Sequence, residues 1–338
     1  MNKKTVMIFN GGGFKTAMFI GMLKAARELG KNPDYIIGTC GGSAATAVAH
    51  GLRTTKEQIE FIRGKDSFDF INSIQETKYF NLNHSISMIR DVYLKFRLRG
   101  VIPNIFEHYL LDMPQLVPLV DDHTSFEPLE HKSIIVAAEI LYNESAYGKK
   151  RNEALFQQVF FTDSDTAKLL DGVESPSYNM GRSSVAKETK VVEGVTLAQA
   201  SRASVTDPFF INPAEVNGKR YVTGAVDLYP VELAKSLGDE IIMCHPEKFS
   251  FLESGLIWAS FYYSQNKRYS EVFSDIDVDH LADIKDFPDE LKYIPEVNWL
   301  KWQILSKIPK DYESYVKVVD AQFEYGYKKM IETIRSGN

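Results

Sequence analysis

The chain has 338 residues, of which 44% are apolar and 25% are charged, as in an ordinary globular protein rather than a disordered one. Its 39 basic and 45 acidic residues give a net charge of -6, which argues against nucleic acid as a partner because phosphate binding favours a basic surface. No apolar run reaches the roughly 18 residues of a membrane-spanning helix. Two cysteines, Cys40 and Cys244, cannot build a disulfide framework. These features predict a cytoplasmic protein and leave its oligomeric state open.

The first fifty residues predict a parallel sheet. Thr5–Phe9 is a short apolar run typical of a buried strand, and a glycine turn follows it. The next segment has helical spacing and ends at Gly30. Tyr35–Ile37 predicts a second strand, and a helix rich in small residues begins at Gly41. Strand, turn and helix thus occur twice in succession, which is typical of an α/β fold.

The rest of the chain predicts one domain over residues 1–338. A capping box at Thr54–Glu57 opens a third helix, and residues from 66 to about 130 predict a helical insertion. The region from about 250 predicts a mostly helical C-terminal extension. Further strands are predicted at Ser133–Leu141, Leu155–Phe161, Tyr221–Val222 and Glu240–Met243, and further helices at Thr196–Ser204, Val231–Leu237 and Tyr312–Arg335.

The first glycine turn contains Gly11, Gly12 and Gly13. A phosphate-binding P-loop needs a glycine where Phe14 stands, and a dinucleotide fingerprint needs one at Thr16, so both motifs are excluded. Two interpretations remain open. The turn is either an anion cradle, whose backbone N–H groups point at developing negative charge, or a turn without chemistry.

The second turn has the pattern G-x-C-x-G from Gly38 to Gly42, between a strand and a helix. This pattern is typical of a nucleophile elbow, here with Cys40 as the nucleophile. The positive end of the helix that begins at Gly41 would favour the thiolate. Two alternatives remain: Cys40 is a small buried core residue, or Ser43 is the nucleophile in a register shifted by three residues.

Three blocks of the sequence, in order, resemble the patatin-like phospholipase family. They are Gly11–Lys15, similar to the family's oxyanion motif, Asp34–Gly42, similar to its nucleophile block, and Leu197–Pro230, similar to the segment that carries the catalytic aspartate. The resemblance implies a three-layer α/β/α sandwich with a mostly parallel central sheet. It also implies a Ser–Asp dyad that acts on acyl esters, an oxyanion site formed by the first turn and Gly41, and neither metal nor organic cofactor.

The sequence departs from the family pattern at three positions. Cys40 replaces the serine, Thr223 occupies the position of the dyad aspartate, and Thr16 replaces the last glycine of the oxyanion motif. A decayed site would leave a patatin-fold protein that binds a lipid or a partner without catalysis. A reset site is the alternative, because a thiol of lowered pKa can attack without the aspartate that a serine needs.

The leading hypothesis is an acyl-transfer enzyme that forms an acyl-Cys40 intermediate. Attack of a thiol on a thioester needs little acid assistance, so CoA or acyl carrier protein thioesters are expected substrates beside lipid esters. A lipid ester hydrolase with a substitute base is the other enzymatic hypothesis. The candidate bases are Asp227 and Asp207, with His245 as a further candidate, and both carboxylates have the alternative interpretation of solvated loop residues.

Two other groups are open to interpretation. His84 and His108 lie in the predicted insertion and could reach the site. The aromatic stretch Trp258–Tyr263 and the segment Trp299–Trp302 either line an acyl channel, touch a bilayer surface as a peripheral contact, or belong to core helices.

Overall fold

The computed structural model describes residues 3–77, 86–87, 90–115, 117, 125–127, 130–179, 183–249, 251–274, 278–292, 295–298, 303–306 and 309–337. His84 and the segment Trp299–Trp302 lie outside these residues. Within them, the structure contains no helix that is both long enough and apolar enough to cross a bilayer.

The helices are α1 (Thr16–Glu28), α2 (Gly41–Gly51), α3 (Thr55–Arg63), α4 (Lys65–Ser73), α5 (Ser164–Leu169), α6 (Leu197–Ser204), α7 (Val231–Leu237), α8 (Phe251–Phe261), α9 (Gln265–Ser274) and α10 (Tyr312–Ser336). A π-helix spans Asp91–Arg97, and short 3₁₀ turns span Glu144–Ala146, Pro176–Asn179 and Asp289–Leu291.

The strands are β1 (Thr5–Phe9), β2 (Tyr35–Thr39), β3 (Gln75–Glu76), β4 (Leu111–Asp112), β5 (Lys132–Ile140), β6 (Phe156–Phe161), β7 (Lys190–Val192), β8 (Ala214–Val216), β9 (Lys219–Val222), β10 (Glu240–His245), β11 (His280–Asp283), β12 (Pro295–Asn298) and β13 (Gln303–Ser306). The strands and helices predicted from the sequence are confirmed to within about two residues at their ends.

The central sheet runs in the order β11-β10-β1-β2-β5-β6-β7, with β9 on β5 and β8 on β9. The five strands from β11 to β5 are parallel, whereas β5 pairs antiparallel with β6 and with β9. The mostly parallel sheet that the sequence predicts is therefore confirmed. Two antiparallel pairs, β3–β4 and β12–β13, lie outside this sheet.

Helices cover both faces of the sheet, which gives the expected three layers. Successive residues of β1 point to opposite faces, so Met7 and Phe9 pack in a cluster with α1, α3 and α10. Val6 and Ile8 pack in a second cluster with α7 and α9. Because both faces are buried, β1 is apolar from Val6 to Phe9 rather than alternating, as is usual in parallel sheets.

The region after residue 250 is more closely built into the domain than a helical extension would be. Helix α10 packs along α1 so tightly that a β-carbon at Gly326 would lie 2.0 Å from the Met18 carbonyl oxygen, and one at Gly21 would lie 2.1 Å from that of Phe323. Strand β11 also extends the central sheet beside β10. The prediction missed β11 because it has only four residues, His280–Asp283, between polar segments.

The region from 66 to 130, predicted as a helical insertion, is mixed where it is described. It contains most of α4, the π-helix and the short β3–β4 pair. Backbone hydrogen bonds from Leu110 and Leu111 to the Phe210 carbonyl fix β4 beside the segment that follows α6. These contacts bring this region to one end of the sheet.

Candidate active site

Cys40 lies at the sharp turn between β2 and α2, where its backbone has φ 49° and ψ -127°. A non-glycine residue pays a steric penalty in this region, so the surrounding structure must impose the conformation. The Cys40 N–H donates to Ser204 Oγ at 3.0 Å, and Ser204 Oγ donates in turn to the Val136 carbonyl. The turn is thus anchored to α6 and to β5.

The three glycines of the second turn leave no room for side chains. A β-carbon at Gly38 would lie 2.3 Å from Thr46 Oγ1, one at Gly41 2.0 Å from the Gly13 carbonyl oxygen, and one at Gly42 1.9 Å from that of Phe9. Gly41 and Gly42 therefore let α2 begin directly against the first glycine turn. This close approach is the physical reason for the G-x-C-x-G pattern.

The first turn contributes a donor to the same point. Gly12 and Gly13 have φ values of 124° and 83°, which glycine adopts readily. The backbone N–H groups of Gly12 and Gly41 lie near the Cys40 sulfur, and both act to lower the pKa of its thiol. Two backbone N–H groups from two different turns thus lie beside one sulfur. An oxyanion site at this point stays a prediction.

Sheet register brings the end of β9 to the elbow. Strands β2 and β9 both pair with β5. The last pair between β2 and β5 is Thr39 with Val136, and two residues further along β5, Ala138 pairs with Val222 of β9. Because β9 runs antiparallel to β5, its last residue points back toward the end of β2. Thr223, which follows, is fully buried, and its hydroxyl donates to the Ala203 carbonyl at 3.3 Å rather than to the sulfur.

A carboxylate approaches Cys40 from a different loop. The Cys40 thiol donates to Asp207 Oδ2 at a sulfur–oxygen distance of 3.9 Å. The Thr223 N–H donates to the Thr206 carbonyl at 2.6 Å, so the loop that carries Asp207 runs beside the loop that carries Thr223. A β-carbon at Gly224 would lie 2.3 Å from Asp207 Oδ1, so only glycine leaves space for this carboxylate.

The predicted thiolate at Cys40 is wrong for this environment. Burial raises the pKa of the thiol well above its ordinary value, and the negative charge of Asp207 raises it further. The N–H groups of Gly41 and Gly12 lower the pKa, as expected from the helix start, but these effects are smaller. At neutral pH the group is a neutral thiol beside a carboxylate.

Asp227 serves another contact. Its two oxygens accept from Arg268 at 2.9 and 3.0 Å, and its Oδ1 also accepts from the Tyr229 N–H. Asp227 is 1% exposed, so it is neither a solvated loop residue nor directed at the sulfur. Its role is to neutralise the buried Arg268, which also contacts Glu232.

Ser43 and two histidines also have partners. Ser43 is fully buried, and its hydroxyl donates to the Cys40 carbonyl at 2.6 Å, so it supports the turn from inside. The His245 ring stacks on Phe273, and its Nε2 lies 2.7 Å from the Tyr269 hydroxyl, at a separate cleft. His108 meets the Tyr147 ring edge-on.

A cavity of about 380 Å³ opens beside Cys40 and Asp207. One part of its wall is apolar and is formed by Phe14, Ile74, Leu110, Leu111, Met113, Val205, Phe210, Ile211, Leu228, Phe249, Ile257 and Ile284. Besides Asp207, the charged side chains of the wall are Lys15, Lys248, Lys292 and Glu247, of which Lys292 and Glu247 pair at 3.1 Å; burial lowers the pKa of Lys15. The cavity therefore pairs an apolar wall, suited to an acyl chain, with a polar end at the sulfur.

Sequence reasoning named Asp207 as a candidate base, with the alternative of a solvated loop carboxylate, and it did not single out Gln265 or Lys292. Gln265 Nε2 donates to the Gly224 carbonyl at 3.0 Å and so holds the loop against which Asp207 rests. The only local signal at Asp207 is its place between a predicted helix and Pro208, and this signal does not show where the side chain points. Gln265 and Lys292 follow residue 250, where no motif could be matched.

Residues 7–235 match the family model described as patatin-like phospholipase, which covers more than half of the chain. The chain belongs to the patatin-like phospholipase family. Members of this family are generally lipid hydrolases, which supports lipid acyl hydrolysis as the class of activity. A comparison with curated proteins gives no significant match.

Three solved structures show weak similarity. VipD from Legionella pneumophila has 12% identity and a TM-score of 0.38 over 100% of this chain and 67% of its own. The type III effector ExoU has 10% identity and a TM-score of 0.35 over 99% of this chain and 53% of its own. Human GIVD cytosolic phospholipase A2 has 14% identity and a TM-score of 0.27 over 47% of this chain and 22% of its own. The family assignment rests on the sequence match alone.

Proposed function

We propose that the protein is a lipid acyl hydrolase or acyltransferase that works through an acyl-Cys40 intermediate, with Asp207 as its general base. One observation carries the proposal. The thiol at the strained turn lies 3.9 Å from a carboxylate oxygen and beside two convergent N–H donors, at the wall of a cavity with a large apolar surface. Nucleophile, base, oxyanion donors and acyl site are thus adjacent.

The acylation step follows from this arrangement. The Cys40 sulfur bonds to the substrate carbonyl carbon while its proton passes to Asp207 Oδ2. The N–H groups of Gly12 and Gly41 accommodate the oxyanion that develops. When the intermediate collapses, the bond to the leaving group breaks, Asp207 returns the proton to that group, and an acyl thioester remains on Cys40.

Deacylation reverses these roles. Water, or the hydroxyl of an acceptor, attacks the thioester carbon and gives its proton to Asp207. The carbon–sulfur bond breaks, and the proton returns to the sulfur. The net reaction consumes one water or acceptor for each acyl group transferred, and it needs no redox partner.

Asp207 changes the expected substrate range. From the tetrahedral intermediate a thiolate leaves more readily than an alkoxide, so the alcohol needs a proton in order to leave, and Asp207, once protonated by the thiol, supplies that proton. Lipid esters are therefore expected substrates beside the CoA or acyl carrier protein thioesters, which a site without a base would favour. A thioester remains the faster acyl donor, because a thiolate leaves with less assistance.

Intact-protein mass after incubation with a lysophospholipid, a phospholipid, an acyl-CoA and an acyl carrier protein thioester tests the proposal. We expect an acyl mass increment that maps to Cys40, that Cys40→Ala abolishes and that Cys244→Ala retains. Cys244 is the matched control because its thiol is also buried but donates to Asn10. Absence of both the increment and turnover with every substrate would overturn the proposal and leave a non-catalytic lipid-binding protein of the same family.

A further inference from the structure

Large apolar side chains lie exposed on the π-helix and on the helix beside it. Tyr93 is 44% exposed, Leu94 52% and Leu98 74%, and on α8 Trp258 is 42% exposed. Leu94 and Leu98 are four residues apart and so lie near one another along the helix. Exposure of large apolar side chains to water is unfavourable, and a cluster of them on the surface indicates an interaction site.

The four side chains belong to one continuous surface. Val92 and Phe96 of the π-helix pack against α8 in a buried cluster. On the outer side, the Arg97 guanidinium lies 4.2 Å from the centre of the Trp258 ring and 4.9 Å from that of Tyr262. Tyr93 also approaches α8, because its hydroxyl lies 3.9 Å from where a β-carbon at Gly255 would be. We call the exposed side of this pair, formed by Arg90, Tyr93, Leu94, Leu98, Arg99 and Trp258, the π-helix face.

The π-helix face is basic in a chain that is acidic overall. Arg90, Lys95, Arg97 and Arg99 lie within ten residues, against one acidic residue, Asp91, whereas the whole chain carries a net charge of -6. Asp91 is 4% exposed and pairs with Lys95 at 3.2 Å and with Arg90 at 3.6 Å, so this one negative charge is turned inward against four basic side chains. The outward charge is therefore positive.

The face also lies next to the cavity. Ile257, one residue before the exposed Trp258, lines the cavity, and Phe210 both lines it and packs against the cluster beneath the π-helix. Lys248 and Phe249, which lead into α8, form another part of the cavity wall. A surface that touched the π-helix face would therefore lie close to the site of chemistry.

We propose that the π-helix face is the surface on which this protein docks to an anionic lipid bilayer. A bilayer offers an apolar interior to Leu94 and Leu98, an interfacial region that suits Tyr93 and Trp258, and negative headgroups to the arginines. A purely apolar protein groove would not explain the positive charge. Docking in this orientation holds the cavity beside the lipid, and this inference does not depend on the chemistry of Cys40.

Vesicle co-sedimentation tests the inference. Vesicles of phosphatidylcholine alone are compared with vesicles that also contain phosphatidylglycerol, at low and high salt. We expect binding to the anionic vesicles that weakens at high salt. Leu94→Ser with Leu98→Ser should weaken this binding by roughly tenfold or more, because two exposed leucines lose their apolar contact. Leu169→Ser is the matched control, because Leu169 on α5 is 54% exposed outside this face.

A second pair of variants isolates the charge. Arg90→Gln with Arg99→Gln should lower affinity for anionic vesicles by about thirtyfold, at roughly 1 kcal/mol for each basic residue. Lys56→Gln with Lys328→Gln removes the same charge from exposed positions on α3 and α10 and should change binding much less. Thermal unfolding confirms that each variant is folded.

The outcomes separate this inference from the proposed function. Cys40→Ala should bind vesicles as well as the unmodified protein does, whether or not Cys40 forms an acyl intermediate. No binding to anionic vesicles at low salt, or equal losses in the face variants and their controls, would overturn the inference. If the π-helix face binds an acidic protein instead of a bilayer, the protein should not bind anionic vesicles even at low salt.

Discussion

Replacing Asp207 with Asn should make Cys40 easier to alkylate and, at the same time, a poorer catalyst. Asp207 holds a negative charge 3.9 Å from the sulfur, and this charge raises the pKa of the thiol and disfavours the thiolate. The same carboxylate is the proposed acceptor of the thiol proton during acyl transfer. Asp207→Asn removes the repulsion and the base together, so the two rates should move in opposite directions.

The magnitude follows from the distance. Two unit charges about 4 Å apart interact by about 4 kcal/mol at an effective dielectric constant of about 20. Removing that repulsion raises the thiolate population by roughly a thousandfold, at about 1.4 kcal/mol for each factor of ten. A less basic thiolate is also a weaker nucleophile. The Brønsted coefficient that relates nucleophilicity to the pKa of the thiol is about 0.4–0.5, which reduces the gain in the alkylation rate to roughly thirtyfold. Loss of general base catalysis should slow acyl transfer by about 10²- to 10⁴-fold.

Iodoacetamide labelling followed by intact mass measures the first rate, and release of product from an acyl substrate measures the second. Cys244 is an internal control, because burial raises the pKa of its thiol to about 12 and Asp207→Asn does not touch it. Because the pKa of Cys40 is raised, labelling of the unmodified protein should be slow at neutral pH and should keep rising into the alkaline range. Labelling of Cys40 that is no faster in Asp207→Asn than in the unmodified protein would refute the electrostatic argument.

Three further predictions, the last with a matched control, test other parts of the structure. Asp227→Asn should lower the free energy of unfolding by about 3–5 kcal/mol, because the substitution leaves Arg268 buried and charged without this carboxylate. Denaturant titration measures the change, and a small loss would argue against a buried ion pair. Gly224→Ala should slow acyl transfer while the protein stays folded, because a β-carbon there would lie 2.3 Å from Asp207 Oδ1; unchanged turnover would show that this carboxylate is not needed where it lies. Gly326→Ala should lower the melting temperature, because its β-carbon would meet a backbone oxygen of α1 at 2.0 Å. Gly255→Ala is the control in a more open helical position, and it should raise the free energy of unfolding by roughly 0.5–1 kcal/mol. Equal melting temperatures for the two variants would contradict the close helix packing.

Local sequence patterns were enough to predict the parallel half of the sheet. Thr5–Phe9 and Tyr35–Thr39 are apolar runs that end at glycine turns, and the capping box at Thr54 forms as the sequence predicts. These signals depend on residues close in the chain. The G-x-C-x-G pattern is also a local signal, although only Gly38 is needed for a contact close in the chain, with Thr46. Gly41 and Gly42 are needed for contacts with Gly13 and Phe9, which belong to the first turn and the first strand.

The electrostatics of the site depend on residues far apart in the chain, which is why the sequence could not predict them. Cys40 and Asp207 are separated by 167 positions, and nothing near either residue states that they meet. The helix start at Gly41 correctly indicates a lowering influence on the pKa of Cys40, but burial and a distant carboxylate outweigh it. The local motif therefore predicted one contribution to the pKa of Cys40 correctly but gave the wrong direction for the total shift.

The register of β9 explains how a carboxylate can lie beside Cys40 although Thr223 occupies the position that the family resemblance assigns to the dyad aspartate. The loop after β9 and the loop after α6 run side by side, so either can present an acid to the same sulfur, and here Thr206–Asp207 does so while Thr223 contacts Ala203. On this argument Thr223→Ala should slow acyl transfer by less than about tenfold, because the hydroxyl has no part in moving the proton.

The stronger test returns the acid to the position that the family motif gives it. In a protein that carries Asp207→Asn, adding Thr223→Asp should recover at least about tenfold of the lost acyl transfer, because a carboxylate is again beside the sulfur. Thr223→Asn in the same background is the matched control and should recover nothing, since an amide cannot accept the proton. Both double variants must first show cooperative thermal unfolding, because position 223 is fully buried. If both are folded and equally inactive, the side chain at position 223 cannot reach Cys40, and the idea that two neighbouring loops can supply the same base fails.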